Sequence, residues 1–188
     1  LRTAAGVSFN MLSVDSDTST SDTCAILANG LAGPVVERAF LDVLTAGSIR
    51  MTEILARDGE GATHLIRATV RGAATDAEAR RVAKSLINSP LIKTMVHGAD
   101  PNVGRILMAV GKTDATIRPD ATDAWINGHP VLRGGARLEF DESVVRAALS
   151  VETVDLEVAL GAGTASATAY GCDLTSGYIT ENAAYYSS

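Results

Sequence analysis

Four stretches of the chain gather side chains able to bind or transform a small molecule. Arg57-Asp58-Gly59-Glu60-Gly61-Ala62 sets one carboxylate between two glycines. Glycine lets the backbone turn tightly, so Glu60 can stand alone and accept a charge-assisted bond from the ammonium of an amino acid. The same residues also read as an exposed acidic turn. From Asp15 to Thr23 nine consecutive residues carry a hydroxyl or a carboxylate. Such side chains cap free amides at a helix start, but nine exceed what one cap needs, so the loop is also a candidate border of a site. Asp100-Pro101-Asn102 has helix-capping character, with Arg105 one turn further on; an anion site there is the second reading. The run Glu181 to Ser188 is aromatic and follows two strands closely, which fits a docked tail as well as a frayed one.

The usual catalytic constellations are absent. His64, His97 and His129 lie in unrelated contexts without metal-ligand spacing, and each is expected in a loop or at the surface. No GxSxG elbow, phosphate-binding loop or dinucleotide fingerprint occurs, and a metal site is not expected. Cys24 and Cys172 have no CxxC context and are expected reduced and buried, as in a cytoplasmic compartment.

The elements that must position these stretches follow from periodicity and caps. Ser8–Val14 reads as a short strand entering the hydroxyl-rich loop, and residues 22–29 as a short helix stopped by Gly30. Pro34 opens a long helix with Val36, Ala39, Phe40, Val43 and Leu44 at helical spacing, ending at Asp58-Gly59. Residues 64–70 alternate as a strand, with Leu65, Arg67 and Thr69 on one face and Ile66, Ala68 and Val70 on the other. Thr75 and Glu78 form a capping box for a helix reaching Asn88. Ile92–Val96 is expected as a buried strand, and residues 103–110 as a helix. Asn127-Gly128 marks a type I′ hairpin, and Asp141 caps a helix to Leu149. Two more strands, near 154–158 and 164–170, are expected to join at a Gly-rich turn. The prediction is one layered α/β unit over residues 1–188 with a mixed sheet packed by helices.

Composition agrees with a folded unit. The 188 residues are 46% hydrophobic but only 4% aromatic, so the core must be built from small and aliphatic side chains. A net charge of −6 leaves no basic stripe for a nucleic-acid backbone. No apolar run approaches a membrane span, and Leu1-Arg2-Thr3 carries no targeting pattern.

Taken in order, these stretches resemble the ornithine acetyltransferase (ArgJ-type) family. Its pattern VDGDTSTND is matched by Val14 to Asp22, and RDGEGA without change by Arg57 to Ala62. ADPNWGRIL is matched by Ala99 to Leu107 with Val103 for Trp, and SASATAWGCDLT is similar to Ala165 to Thr175 with Tyr170 at the Trp position. The N-x-x-Y-x-[ST] ending falls at Asn182, Tyr185 and Ser187. Ser16 for Gly, Ser21 for Asn and Val103 for Trp depart from the pattern and leave the acyl-acceptor preference open.

The resemblance implies an N-terminal-nucleophile-like sandwich of the DmpA/ornithine acetyltransferase type. This chain would be the β subunit of a precursor that cleaves itself before a Thr, and that Thr is expected upstream of Leu1, so no catalytic residue is assigned within the chain. The implied activity is glutamate N-acetyltransferase: acetyl passes from N2-acetyl-L-ornithine to L-glutamate through an acetyl-Thr intermediate, without a cofactor. Glu60, Asn182 and Ser187 correspond to substrate-binding positions. An α chain from the same precursor, an α2β2 heterotetramer or larger, and a cytoplasmic location in arginine biosynthesis complete the expectation; no nucleic acid or membrane partner is implied. The rivals are an amidase or aminopeptidase of the same autoproteolytic superfamily, in which water takes the acyl group, and a non-catalytic homologue.

Overall fold

The computed structural model describes residues 1–183. The chain opens with helix α1 (Arg2–Gly6) and a single 3-10 turn at Phe9–Met11, where a strand was predicted. Ser8 is buried and donates its hydroxyl to the Ala4 carbonyl at 2.7 Å, which curls the segment and inserts Met11 into the core. Only Leu12 and Ser13 reach the sheet, through a bridge to Tyr170. The helix predicted at 22–29 does not form. Ile26 and Leu27 are exposed among the described residues, and so short a helix with little tertiary support does not offset its nucleation cost.

Helix α2 (Glu37–Arg57) has the predicted extent, but its core-facing row is not the apolar one. Ser48, Thr52 and Ala56 are buried at four-residue spacing, while Val36, Phe40 and Val43 are exposed. Small side chains allow the helix to lie close to its neighbours. Strand β1 (Leu65–Ala73) follows, then α3 (Asp76–Ile87) and α4 (Pro90–His97). Thr75 caps α3 by accepting from the Glu78 amide, but the Glu78 carboxylate turns to the Thr116 amide at 2.9 Å, so half of the capping box forms. α4 corrects the predicted strand: Ser89 caps it, Pro90 opens it, and Ile92, Met95 and Val96 are buried at helical spacing. A short apolar run has no period of its own to decide between the two.

Helix α5 (Val103–Gly111) precedes strands β2 (Asp123–Ile126), β3 (His129–Arg133) and β4 (Ala136–Arg137). Asn127 and Gly128 both take positive φ, 44° and 78°, as the type I′ turn requires. Helix α6 (Glu142–Leu149), capped by Asp141, leads to β5 (Thr153–Ala159), β6 (Ala165–Cys172) and helix α7 (Ser176–Ala183).

The six strands form one mixed sheet in the order β4-β3-β2-β5-β1-β6. β5 and β6 are therefore not a hairpin, because β1 lies between them, parallel to β5 and antiparallel to β6. β1, buried on one face by Ile66, Ala68 and Val70, takes the place just inside the β6 edge, and the Gly-rich segment crosses its end. On this face Ile87 of α3 meets the backbone of Gly171, the partner of Ile66. On the other face Arg67 bridges Asp155 of β5 at 2.6 Å and Glu53 of α2 at 3.2 Å. The Asp155 hydrogen bond leads in holding this guanidinium more firmly protonated than usual.

Candidate functional site

The end of α2 is shaped for close approach. The Gly59 amide bonds back to Ala56 and that of Ala62 to Gly59, which closes a tight turn around Glu60. A Cβ on Gly59 would lie 2.8 Å from Cys172 Sγ and 3.2 Å from Val14 Cγ1. Gly61 takes φ +62°, and a Cβ there would lie 2.4 Å from the backbone of Gly177. The two glycines thus let the turn sit directly on the end of β6 and the start of α7, with the Glu60 side chain free.

Glu60 lines a cleft of about 740 Å³ whose opposite wall is the hydroxyl-rich loop. Asp15, Asp17 and Asp22 face the same cleft, with Phe9, Lys84 of α3 and Asn88 directly after that helix. Asn88 keeps a buried Oδ1 without a hydrogen-bond partner. The loop is held by local bonds: Asp15 Oδ1 accepts from the Asp17 amide at 3.0 Å, and Asp22 accepts from the Ser19 hydroxyl at 3.0 Å. Ser16 takes φ +79°, a left-handed conformation that glycine adopts without strain. The first two predicted stretches therefore meet in one acid-rich cleft, suited to cationic or hydroxyl-bearing small molecules.

Behind the cleft stands a cluster that sequence reasoning missed. Asp173, at the end of β6, accepts the amides of Thr63 and His64 on Oδ1 at 2.8 and 2.9 Å. Its Oδ2 meets Thr63 Oγ1 at 2.6 Å, His64 Nδ1 at 3.0 Å and His97 Nδ1 at 3.1 Å. Burial alone would raise this carboxyl, but the Thr63 and His64 bonds more than offset it and hold it at about 2. His64 and His97 are thus not unrelated; α4 and β1 bring them to one oxygen. The available signal was an aspartate directly after a buried strand, within the GCDLT stretch.

Lys93 was missed as well. It is 4% exposed and reaches the carbonyls of Val14, at 2.6 Å, and Cys172. Burial pushes its ammonium below the usual range, while Cys172, Asp173 and Asp15 pull in the other direction. Cys172 is buried as expected, and burial pushes its thiol up; Cys24, expected buried, is exposed, and both are free.

Helix α7 begins on the Glu60 turn. Thr175 Oγ1 donates to the Gly61 carbonyl at 2.7 Å and accepts from the Gly177 amide at 2.9 Å. Tyr178 donates its hydroxyl to Asp15 at 3.0 Å, which raises its own pKa. Asn182, further along, is exposed, donates to the Tyr178 carbonyl at 3.0 Å, and does not line the cleft. Ser187 lies outside the described residues. At the start of α5, Asn102 makes no side-chain cap bond, and Arg105 bonds the Leu91 carbonyl and pairs with Asp100 at 3.6 Å. No group of His, Cys, Asp or Glu among the described residues is arranged to hold a metal.

The model of the ArgJ family matches residues 1–187. The chain belongs to the ArgJ family. It is 47% identical over 180 residues to the arginine biosynthesis bifunctional protein ArgJ of Rhodococcoides fascians, covering 94% of this chain and 45% of that protein. The ArgJ 2 protein of Nostoc sp. is 46% identical, with 98% and 48% covered. The glutamate N-acetyltransferase Oat2 of Streptomyces clavuligerus is 43% identical, with 94% and 47% covered. The chain thus spans about half the length of these ArgJ-family relatives. A crystal structure of the arginine biosynthesis bifunctional protein argJ of Bacillus halodurans superposes with a TM-score of 0.94 at 36% identity, covering 98% of this chain and 90% of that one. The layered ArgJ fold with its mixed sheet is therefore the fold of this chain.

Proposed function

We propose that this ArgJ-family chain is the β part of a glutamate N-acetyltransferase that moves acetyl from N2-acetyl-L-ornithine to L-glutamate. The observation that carries the reading is the unchanged RDGEGA turn, which presents Glu60 to the acid-rich cleft in a chain that the ArgJ model matches from 1 to 187. In this reading residues 1–188 are one α/β unit paired with an α chain of the same precursor, in an α2β2 heterotetramer or larger, and the enzyme works in the cytoplasm. No helix among the described residues is long and apolar enough to cross a membrane.

The nucleophile is a Thr freed by self-cleavage, whose own α-amine serves as its base. It attacks the acetamide carbon of acetylornithine, and donors from the α chain stabilise the tetrahedral oxyanion. The C–N bond breaks, and ornithine leaves with the proton taken from the Thr hydroxyl. The amine of glutamate then attacks the acetyl-Thr ester and regenerates the hydroxyl. Glu60 orients the ammonium of the bound amino acid, and Asn182 and Ser187, on the strength of their match to the family's tail motif and not of a place in the cleft, are assigned to the backbone common to both substrates.

Incubating the full-length protein with acetylornithine, with and without glutamate, tests the reaction class. Acetylglutamate must form only when both are present. Free acetate released at one rate in both tubes would make the protein a hydrolase. Glu60→Gln keeps the turn but removes one charge-assisted bond of about 1.5–3 kcal/mol, so kcat/KM falls roughly 10- to 100-fold with precursor cleavage intact. Loss of cleavage in that variant would make Glu60 structural instead.

A further inference from the structure

We infer that Lys93 is a positioning residue for this cleft: its side chain pins the acidic loop at Val14 to the end of β6 at Cys172 and so fixes where Asp15 and Glu60 stand relative to each other. The inference rests on the cleft being the substrate site proposed above.

Lys93 lies in the middle of α4, among buried Ile92, Met95 and Val96. Its Nζ donates to Val14 O at 2.6 Å and to Cys172 O, and lies 3.7 Å from Cys172 Sγ. None of these contacts is a carboxylate. Asp173 and Asp15 favour its charged form only from a distance. A methionine or leucine could fill such a place without desolvating an ammonium, and buried charges are often replaced by apolar groups without loss of stability. Stability alone therefore gives no reason for a lysine here. Joining two carbonyls on separate segments does, because no apolar side chain can.

The two pinned segments are also the surfaces on which the Glu60 turn rests. A Cβ on Gly59 would meet Cys172 Sγ at 2.8 Å and Val14 Cγ1 at 3.2 Å. Lys93, Val14, Cys172 and Gly59 thus make one contact unit, with Asp15 leaving it on one side and Glu60 on the other. Upstream, the loop is tied to the sheet by the Ser13 amide on Tyr170 O at 3.0 Å. Downstream, the hydrogen bonds of residues 15–22 are local, apart from the Tyr178–Asp15 contact. Lys93 is the tether at the point where the chain leaves the sheet to form the cleft wall.

The test is Lys93→Met in the full-length protein, with two readouts. In acetyl transfer from acetylornithine to glutamate, the number of active sites is fixed by titration. KM for acetylornithine should rise about ten-fold, the loss of one charge-assisted bond, while kcat changes little. A merely structural role would reduce the number of active sites and leave KM alone. Independently of activity, amide hydrogen exchange at 15–19 should accelerate while α5 keeps its protection. Wild-type KM together with wild-type exchange at 15–19 would overturn the inference. If the wild type transfers no acetyl, the activity reading fails, and exchange alone decides the tether. Should the Met variant not fold, Lys93→Ala is assayed with and without ethylammonium: KM falling back toward wild type on addition supports the tether, and unchanged KM overturns it.

Discussion

Replacing Asp173 by Asn tests the cluster that fastens the back of the cleft. The amide keeps one oxygen for the Thr63 and His64 backbone amides but loses the charge, and it sets an NH2 where Thr63 Oγ1, His64 and His97 now meet Oδ2. The folded carboxyl is held at about 2, against an ordinary aspartate near 3.9. At about 1.4 kcal/mol per pH unit the difference amounts to roughly 2.6 kcal/mol at neutral pH. The carboxylate itself is enclosed, but His97 beside it is 44% exposed. Screening through that opening reduces the expected loss to about 2 kcal/mol. The sign follows from linkage. The folded value lies below the unfolded one, so the contribution is complete above about pH 5 and is lost as pH falls through about 4 toward 2. Urea unfolding of wild type and variant at pH 7, 5, 4 and 3 should show a gap of about 2 kcal/mol at the first two values that narrows at the last two. A gap absent at pH 7, or equally large at pH 3, would refute the charge argument.

Two further substitutions probe the backbone around the cleft. Gly61→Ala puts a Cβ at φ +62°, 2.4 Å from Gly177; the strain of about 1–2 kcal/mol plus the clash should lower the melting temperature and push α7 off the turn, with a raised KM for acetylornithine as the kinetic sign. Ser16→Gly should stabilise by roughly 0.5–1 kcal/mol in urea unfolding, because Ser16 already sits at φ +79°; destabilisation would mean that the Ser16 side chain contributes more than its backbone strain costs.

Much of the architecture was legible because local signals agreed with tertiary need. Thr75, Ser89 and Asp141 all cap helices by accepting backbone amides, and Asn127-Gly128 makes its hairpin with both φ values positive. The misses have a common physical origin. Ile92–Val96 was too short to show a period, and Ser89-Pro90 in front of it, a helix start, was the signal that should have decided. Residues 22–29 had helical composition but no surface to bury against. β5 and β6 are consecutive in sequence, yet β1 pairs with both and separates them, and a pairing between segments so far apart in the chain leaves no local pattern to read. In α2 the small residues Ser48, Thr52 and Ala56 face the core while large apolar ones face outward, a reversal that hydrophobic patterning cannot report.

The site was legible in part for a related reason. Glu60 and the Asp15–Thr23 loop announce themselves by local composition, and the fold brings them to one cleft. Lys93 gives no local signal and Asp173 only its place directly after a buried strand, because each acts through partners about 80 to 110 residues away in sequence. Their roles divide the work around the turn. Asp173 draws the strand after Glu60 onto the end of β6, through Thr63 and His64. Lys93 draws the loop before it onto the same end, through Val14. Glycines at 59 and 61 allow both approaches by leaving no side chain in the way. The backbone of the Glu60 turn is thereby held from three directions by groups that need never touch a ligand, while its exposed carboxylate stays free to bind. A turn held in this way offers its carboxylate to a cationic group without first having to fold around it, which is what the proposed amino-acid binding asks of Glu60.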